Sequence, residues 1–273
     1  MFAQKNAIVK LLQDDDPRTV DLVKEQLAQQ GSAALPSLQD LLTLYDERVA
    51  EHVKDVMGRI DAAEAERELG RLCQNFAEHG DLEAFSWLLA RAMLPGVDIQ
   101  EWRALLDQWS GQVSQFRSPD DTAEDRVRIL AHFLGGQLGF RGNAEDYYNP
   151  DNTLLPRVMS TRLGIPITLT LLYKFIGRRS GLPVEGINFP GHFLARHDGV
   201  LFDPFEGGRI IGIPECRQIL ARQKLELQPG HLETASPVAI AQRVLANLLY
   251  VYQSAENAGI AGKVTVWLHA LDR

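Results

Sequence analysis

Two residues in the middle of the chain have the types and spacing for acid–base chemistry: His192 and Asp203. Between them lies Asp198-Gly199, a dipeptide that favours a two-residue hairpin when apolar-rich segments flank it. His192 to Arg196 and Val200 to Asp203 are such segments. With Asp198 and Gly199 as the turn, His197 pairs with Val200, Leu194 faces Asp203 and His192 faces Phe205. His192 and Asp203 then become diagonal neighbours on one sheet face, close enough for their side chains to meet. A carboxylate beside an imidazole orients the ring, fixes its tautomer and stabilises its charged form. This is the base-and-orienter half of a nucleophilic triad. The alternative is a hydrogen-bonded pair that only holds the hairpin.

The elements that must position this pair are legible nearby. Arg162-Leu163-Gly164-Ile165-Pro166 opens a helix over Ile167 to Arg179, which Ser180-Gly181 ends. Val184 to Phe189 reads as a strand, followed by Pro190-Gly191. Thr168 and Thr170 bring hydroxyls close to the helix start. A threonine nucleophile needs a free terminal amine or a nearby base, so packing is the commoner role for them. A metal site would have to recruit His192, His197, His231 and Asp203. His192 and His197 have opposite parity on one strand, which argues against shared ligation. No metal and no cofactor is expected. Asn188, Glu206 and Arg209 are placed to line a cleft rim or to cap loops. Tyr147 to Asn152 is rich in turn-forming residues, and Arg157 or Arg162 could contact it.

The order helix, histidine strand, aspartate strand resembles that of the transglutaminase-like, papain-related fold. The phrases RLGIPITLTLLY (162–173), GINFPGHFLAR (186–196) and LFDPFEGG (201–208) look like the bacterial SirB-type family, transglutaminase-like proteins with a tetratricopeptide-type tail. The resemblance covers residues 120–210 most closely. In catalytic members a cysteine follows a glycine at the helix N-terminus, where the dipole favours the thiolate. Matching that motif puts Pro166 at the cysteine position, with His192 and Asp203 at the other two. Neither Cys73 nor Cys216 occupies that place in the order. The resemblance therefore implies a vestigial site and a non-catalytic, protein- or peptide-binding regulatory or scaffold module. Arg162, Asn188 and Glu206 are its candidate ligand-binding residues. The alternative is an amide hydrolase or acyltransferase that uses His192 and Asp203 with an unconventional nucleophile.

Helices flank this core on both sides. Stripes such as Val20, Val23 and Leu27 recur up to residue 138, with separate helices expected through Val49 to Ile60 and from Ala63 to His79. At an offset of thirty residues, Leu11-Leu12 matches Leu41-Leu42, Asp16 matches Asp46, and Val23-Lys24 matches Val53-Lys54. The pattern fits a HEAT-like array or a plain bundle. The expected class is α+β, mainly helical, with a small antiparallel sheet. Its parts are a helical region at 1–116, a transglutaminase-like core at 117–235 and a tetratricopeptide-like helical hairpin at 236–273. That hairpin cannot bury its own face, so it should dock on the core or on a partner.

A net charge of -8 without a Lys/Arg-rich run argues against a nucleic-acid partner. The two cysteines lack zinc spacing and fit a reducing compartment. The N-terminus has no signal-peptide layout, and the most apolar stretch, Ile165 to Ile176, is too short to span a bilayer. The expectation is a cytoplasmic protein with a protein or peptide partner and no membrane contact; the sequence leaves the oligomeric state open.

Overall fold

The computed structural model describes residues 5–44 and 47–272. The chain forms two compact units, Met1–Arg71 with Trp87–Asp98, and Leu72–Ser86 with Ile99–Arg273.

The first unit contains α1 (Lys5–Leu12), α2 (Pro17–Gln29), α3 (Leu35–Leu44) and most of α4 (Glu47–Gln74). Asp16 caps α2 by accepting the Arg18 N–H, and Pro17 takes the first helical position, where a missing N–H costs nothing. The apolar stripes meet in one core of Val9, Leu12, Val20, Leu27, Leu38 and Leu41, extended by Val49, Val53, Val56 and Ile60 of α4. Asp46 of the thirty-residue match lies outside the described residues. One expectation is corrected here. The helices read separately at Val49 to Ile60 and Ala63 to His79 are one continuous α4, followed by the short α5 (Phe76–His79). Nothing between Ile60 and Ala63 removes an N–H or favours a left-handed turn, so the helical hydrogen bonds run on.

The second unit adds α6 (Leu82–Met93, in part), α7 (Ile99–Gln115) and α8 (Ala123–Ala131), then a π-helical turn over His132–Gln137. Thr122 caps α8 in a reciprocal box with Asp125, as the polar segment before it suggests. Next come β1 (Arg141–Gly142), α9 (Leu155–Thr161), β2 (Leu163–Gly164) and α10 (Pro166–Arg179). β1 and β2 pair in parallel. A four-stranded antiparallel sheet follows in chain order: β3 (Glu185–Ile187), β4 (Leu194–His197), β5 (Val200–Asp203) and β6 (Arg209–Ile210). The chain closes with α11 (Ile213–Ala221), α12 (Pro237–Ser254) and α13 (Ala258–Ala270). The mainly helical α+β class with a small antiparallel sheet is thus the observed one.

α10 is the hub of this unit. It is buried on nearly every side and packs against α7, α9, α12, β3 and β4. At its C-terminal end Arg178 and Arg179 both pair with the buried Glu83, and Arg179 also reaches Asp107. α12 and α13 pack on each other, and α12 buries Ile240, Val244 and Leu248 while packing against α10 and Pro150–Thr153. The Ala235 N–H donates to Gly186 O at 2.8 Å and fastens the segment before α12 to the sheet edge. The helix pair therefore docks on the core, as its one-sided apolar stripe requires.

Cys73 also lies in this unit and is 1% exposed. Burial pushes its thiol up to about 12 from 9.0. The folded state thus keeps the proton where the unfolded chain loses it. Stability is fully present below pH 9.0 and falls as pH rises toward 12, by up to about 1.4 kcal/mol per pH unit from this group. Urea unfolding between pH 8.5 and 10.5 should show that extra decline relative to Cys73→Ala; parallel curves would contradict it. Among the described residues, no helix is long and apolar enough to cross a membrane.

Candidate functional site

The site begins at the Asp198-Gly199 turn. Both residues have positive φ, 45° and 86°, the geometry whose twist matches the flanking strands. The resulting register pairs His197 with Val200, Arg196 with Leu201 and Ala195 with Phe202, as the sequence predicts. Two strand boundaries are corrected. β3 ends at Ile187, short of Phe189, and β4 begins at Leu194, so His192 is outside the strand. Pro190 has no N–H for a ladder and Gly191 has φ 68°, so the chain turns there, and the His192 N–H closes the turn on Phe189 O at 3.0 Å.

From that turn His192 still reaches Asp203. Its Nε2 lies 2.8 Å from Asp203 Oδ2. The other carboxylate oxygen accepts the Phe205 N–H at 2.9 Å, capping the 3-10 turn Pro204–Glu206. Both oxygens are committed, one to the imidazole and one to the backbone, so the carboxylate cannot rotate without losing a bond. Asp203 is 4% exposed, whereas the His192 side chain is 18% exposed. The dyad thus offers its imidazole to solvent and keeps its acid inside.

Phe205 links the dyad to the start of α10. Its ring meets His192 edge to face, with centroids 5.9 Å apart. The ring also lies against Gly142, where an added Cβ would come within 2.3 Å of it. Gly142 pairs with Gly164, two residues before Pro166. Pro166 is buried and takes the first position of α10, with Ile165 extended ahead of it. Thr168 and Thr170 are also buried, and among the described residues neither hydroxyl has a hydrogen-bond partner. Tyr173, further along the helix, is fully buried, and among the described residues its hydroxyl is unpartnered. Burial, then the charge of Asp203, pushes that hydroxyl far above the usual phenol range.

The remaining expected residues are distributed as follows. Asn188 is exposed and accepts from Arg243 Nη1 at 3.4 Å. Glu206 is exposed at the end of the turn after Asp203. Arg209 is paired with Glu215. Arg162 caps α9 in the left-handed region, and its guanidinium lies 4.7 Å from the Trp109 ring centroid and 4.9 Å from that of Phe140. Burial lowers its pKa. His197 is buried, with Nδ1 2.7 Å from Pro183 O. Cys216 sits in an apolar cluster with Ile187, Phe189, Leu194, Leu201 and Leu220, and burial raises its thiol pKa. Among the described residues, no three His, Cys, Asp or Glu side chains converge as metal ligands.

Sequence reasoning missed one group beside the dyad. Tyr147 lies 6.2 Å from Phe205, Tyr148 lies 5.3 Å from Tyr147, and Tyr250 lies 5.3 Å from Tyr148, all between ring centroids. The loop that presents Tyr147 and Tyr148 is held by Asn152, which donates to Asp146 O and Tyr147 O and accepts from Asn143. The Asn/Asp-rich run signals the loop; nothing local signals that Tyr250 and Arg243, on α12, come to meet it.

A helix start, a histidine turn and an aspartate strand arranged in this way define a transglutaminase-like fold. Residues 100–246, more than half of the chain, match the model of the transglutaminase-like superfamily, and the chain belongs to that family. It is similar to a UPF0162 protein of Xylella fastidiosa, 33% identical over 183 residues, 62% of this chain and 64% of that protein. A UPF0162 protein of Pseudomonas aeruginosa is 33% identical over 181 residues, 63% of this chain and 65% of that protein. Human F-box only protein 21 is 34% identical over 132 residues, 44% of this chain and 20% of that protein. The matches span about a third to just under two thirds of the length of the bacterial relatives. No solved structure matches the chain significantly.

Proposed function

We propose that this chain is a non-catalytic transglutaminase-like protein that binds a protein or peptide segment at the His192 face. The observation that carries it is Pro166, which takes the first turn of α10 with no nucleophilic atom to offer. The two native thiols support the reading, since both are buried and hold their protons tightly. They also suit a reducing, cytoplasmic setting. We place the chain further in the SirB-type branch, on the three phrases around Pro166, His192 and Asp203. The tetratricopeptide-type label for α12 and α13 rests on the Ala246-Asn247-Leu248 and Tyr252 run, and the family match stops at residue 246.

The intact dyad favours a second reading, an amide hydrolase or acyltransferase with water or another group as nucleophile. Ammonia release from glutamine-containing peptides, with and without a primary amine, separates the two. The expected result is no turnover above the blank. Turnover that disappears in His192→Ala would overturn the non-catalytic reading and install the second.

A further inference from the structure

Arg243, Asn247 and Tyr250 stand at i, i+4 and i+7 on α12 and so share one helix face. Arg243 is half-buried, and its hydrogen-bond partner is a neutral oxygen, Asn188 Oδ1, at the long distance of 3.4 Å. Three other half-buried arginines of this unit have carboxylates: Arg179 has Glu83 and Asp107, Arg196 has Glu185, and Arg126 has Asp198; a fourth, Arg162, lies against the Trp109 and Phe140 rings. Arg243 makes no ion pair among the described residues, in a chain of net charge -8. A partly desolvated guanidinium without an acid is complementary to a carboxylate, which it can take in two parallel bonds.

The apolar half of the surface adjoins it. Tyr250 is 55% exposed and Tyr148 is 60% exposed, and their rings lie tilted at 45° to each other. Exposed tyrosines supply contact area at little entropic cost, and the Asn152 bonds hold the Tyr147–Tyr148 loop in place before anything binds. From Tyr250 the rings lead through Tyr148, Tyr147 and Phe205 to His192. Burial raises the pKa of the Tyr147 hydroxyl, and the charge of Arg243 acts on it in the opposite direction.

We infer that Arg243, Tyr250 and Tyr148 dock an extended segment of a partner protein that carries an internal acidic side chain and an aromatic side chain. The inference rests on the peptide-binding reading above and names the chemistry of its partner. Seven residues of helix span about 10 Å, and an extended chain advances about 3.3 Å per residue. The acid on Arg243 and the aromatic on Tyr250 are therefore about three positions apart in the bound segment. Past Arg243 the exposed Asn188 continues the surface, so an internal carboxylate rather than a chain end meets Arg243.

The test is selection of random phage-displayed dodecapeptides on the full chain, followed by fluorescence polarisation of a synthetic winner. The expected peptides carry Asp or Glu with an aromatic residue about three positions away. Arg243→Gln should weaken the winner about tenfold, and changing the acidic residue of the peptide to its amide should weaken it equally. The two changes together should cost no more than either alone. Tyr250→Ala, at an exposed position, should weaken binding about fivefold and needs no rearrangement of the core. Winners without an acidic residue, or indifferent to Arg243→Gln, would overturn this inference and leave peptide binding standing. Failure to enrich any peptide would overturn both. A dimer in light scattering that both variants dissolve would overturn it as well, since a second copy of this chain would then be the occupant.

Discussion

Pro166→Cys should be alkylated by iodoacetamide at pH 7 at least ~100-fold faster than Cys73 or Cys216. The first position of α10 has no intrahelical partner for its N–H, so cysteine replaces proline there without breaking a helical bond. A thiolate at that end of the helix is favoured by the free N–H groups and the dipole. At the native thiols burial is the largest influence. Burial holds Cys73 at about 12 and raises Cys216, so their thiolate fractions at pH 7 are minute. Adding His192→Ala to the Pro166→Cys variant should slow its alkylation by about tenfold or more, because the imidazole would no longer share the thiol proton. Peptide mapping after timed labelling gives all three rates in one experiment. A new cysteine no more reactive than the native pair would mean that position 166 and the dyad do not form one site.

Gly135→Ala should destabilise the protein by about 3 kcal/mol, at the upper end of the usual overpacking cost. A Cβ on Gly135 would lie 2.1 Å from Gly207 O and 2.8 Å from Gly207 C. Those are backbone atoms in the loop that follows Asp203, and the Gly208 N–H is bonded to Asp203 O at 2.8 Å. The loop can retreat only by disturbing the carboxylate that holds His192. Gly142→Ala is the useful contrast. Its Cβ would meet the Phe205 ring at 2.3 Å, but a half-exposed ring can swing aside. That variant should lose only about 1 kcal/mol yet move Phe205 off His192, which the imidazole proton shifts in NMR would report. Equal costs in urea for the two glycines would contradict the distinction between a backbone wall and a side-chain wall.

Much of the site is local and was therefore legible. The Asp198-Gly199 turn sets the register of β4 and β5, because its two positive φ values match the strand twist whatever lies beyond. Pro166 at the start of α10 follows equally from near neighbours, as a residue with a fixed φ and no donor belongs at that position. The pairing of His192 with Asp203 follows from the hairpin count, even though Pro190-Gly191 takes His192 off the strand.

What the tertiary structure alone decided concerns residues far apart in the chain. Arg162 lies against Trp109 and Phe140, because α7 passes alongside the end of α9. β1 and β2 pair in parallel across an intervening helix, and so bring Gly142 to the Phe205 ring. Tyr250 and Arg243 reach Tyr148 and Asn188 only because α12 needs a surface for its own apolar stripe. Backbone preferences act over a few residues and are written in the sequence where they act. Burial of apolar faces acts between elements and depends on every face available at once. For that reason the dyad was visible in the sequence, while the aromatic and cationic surface beside it emerged only from packing.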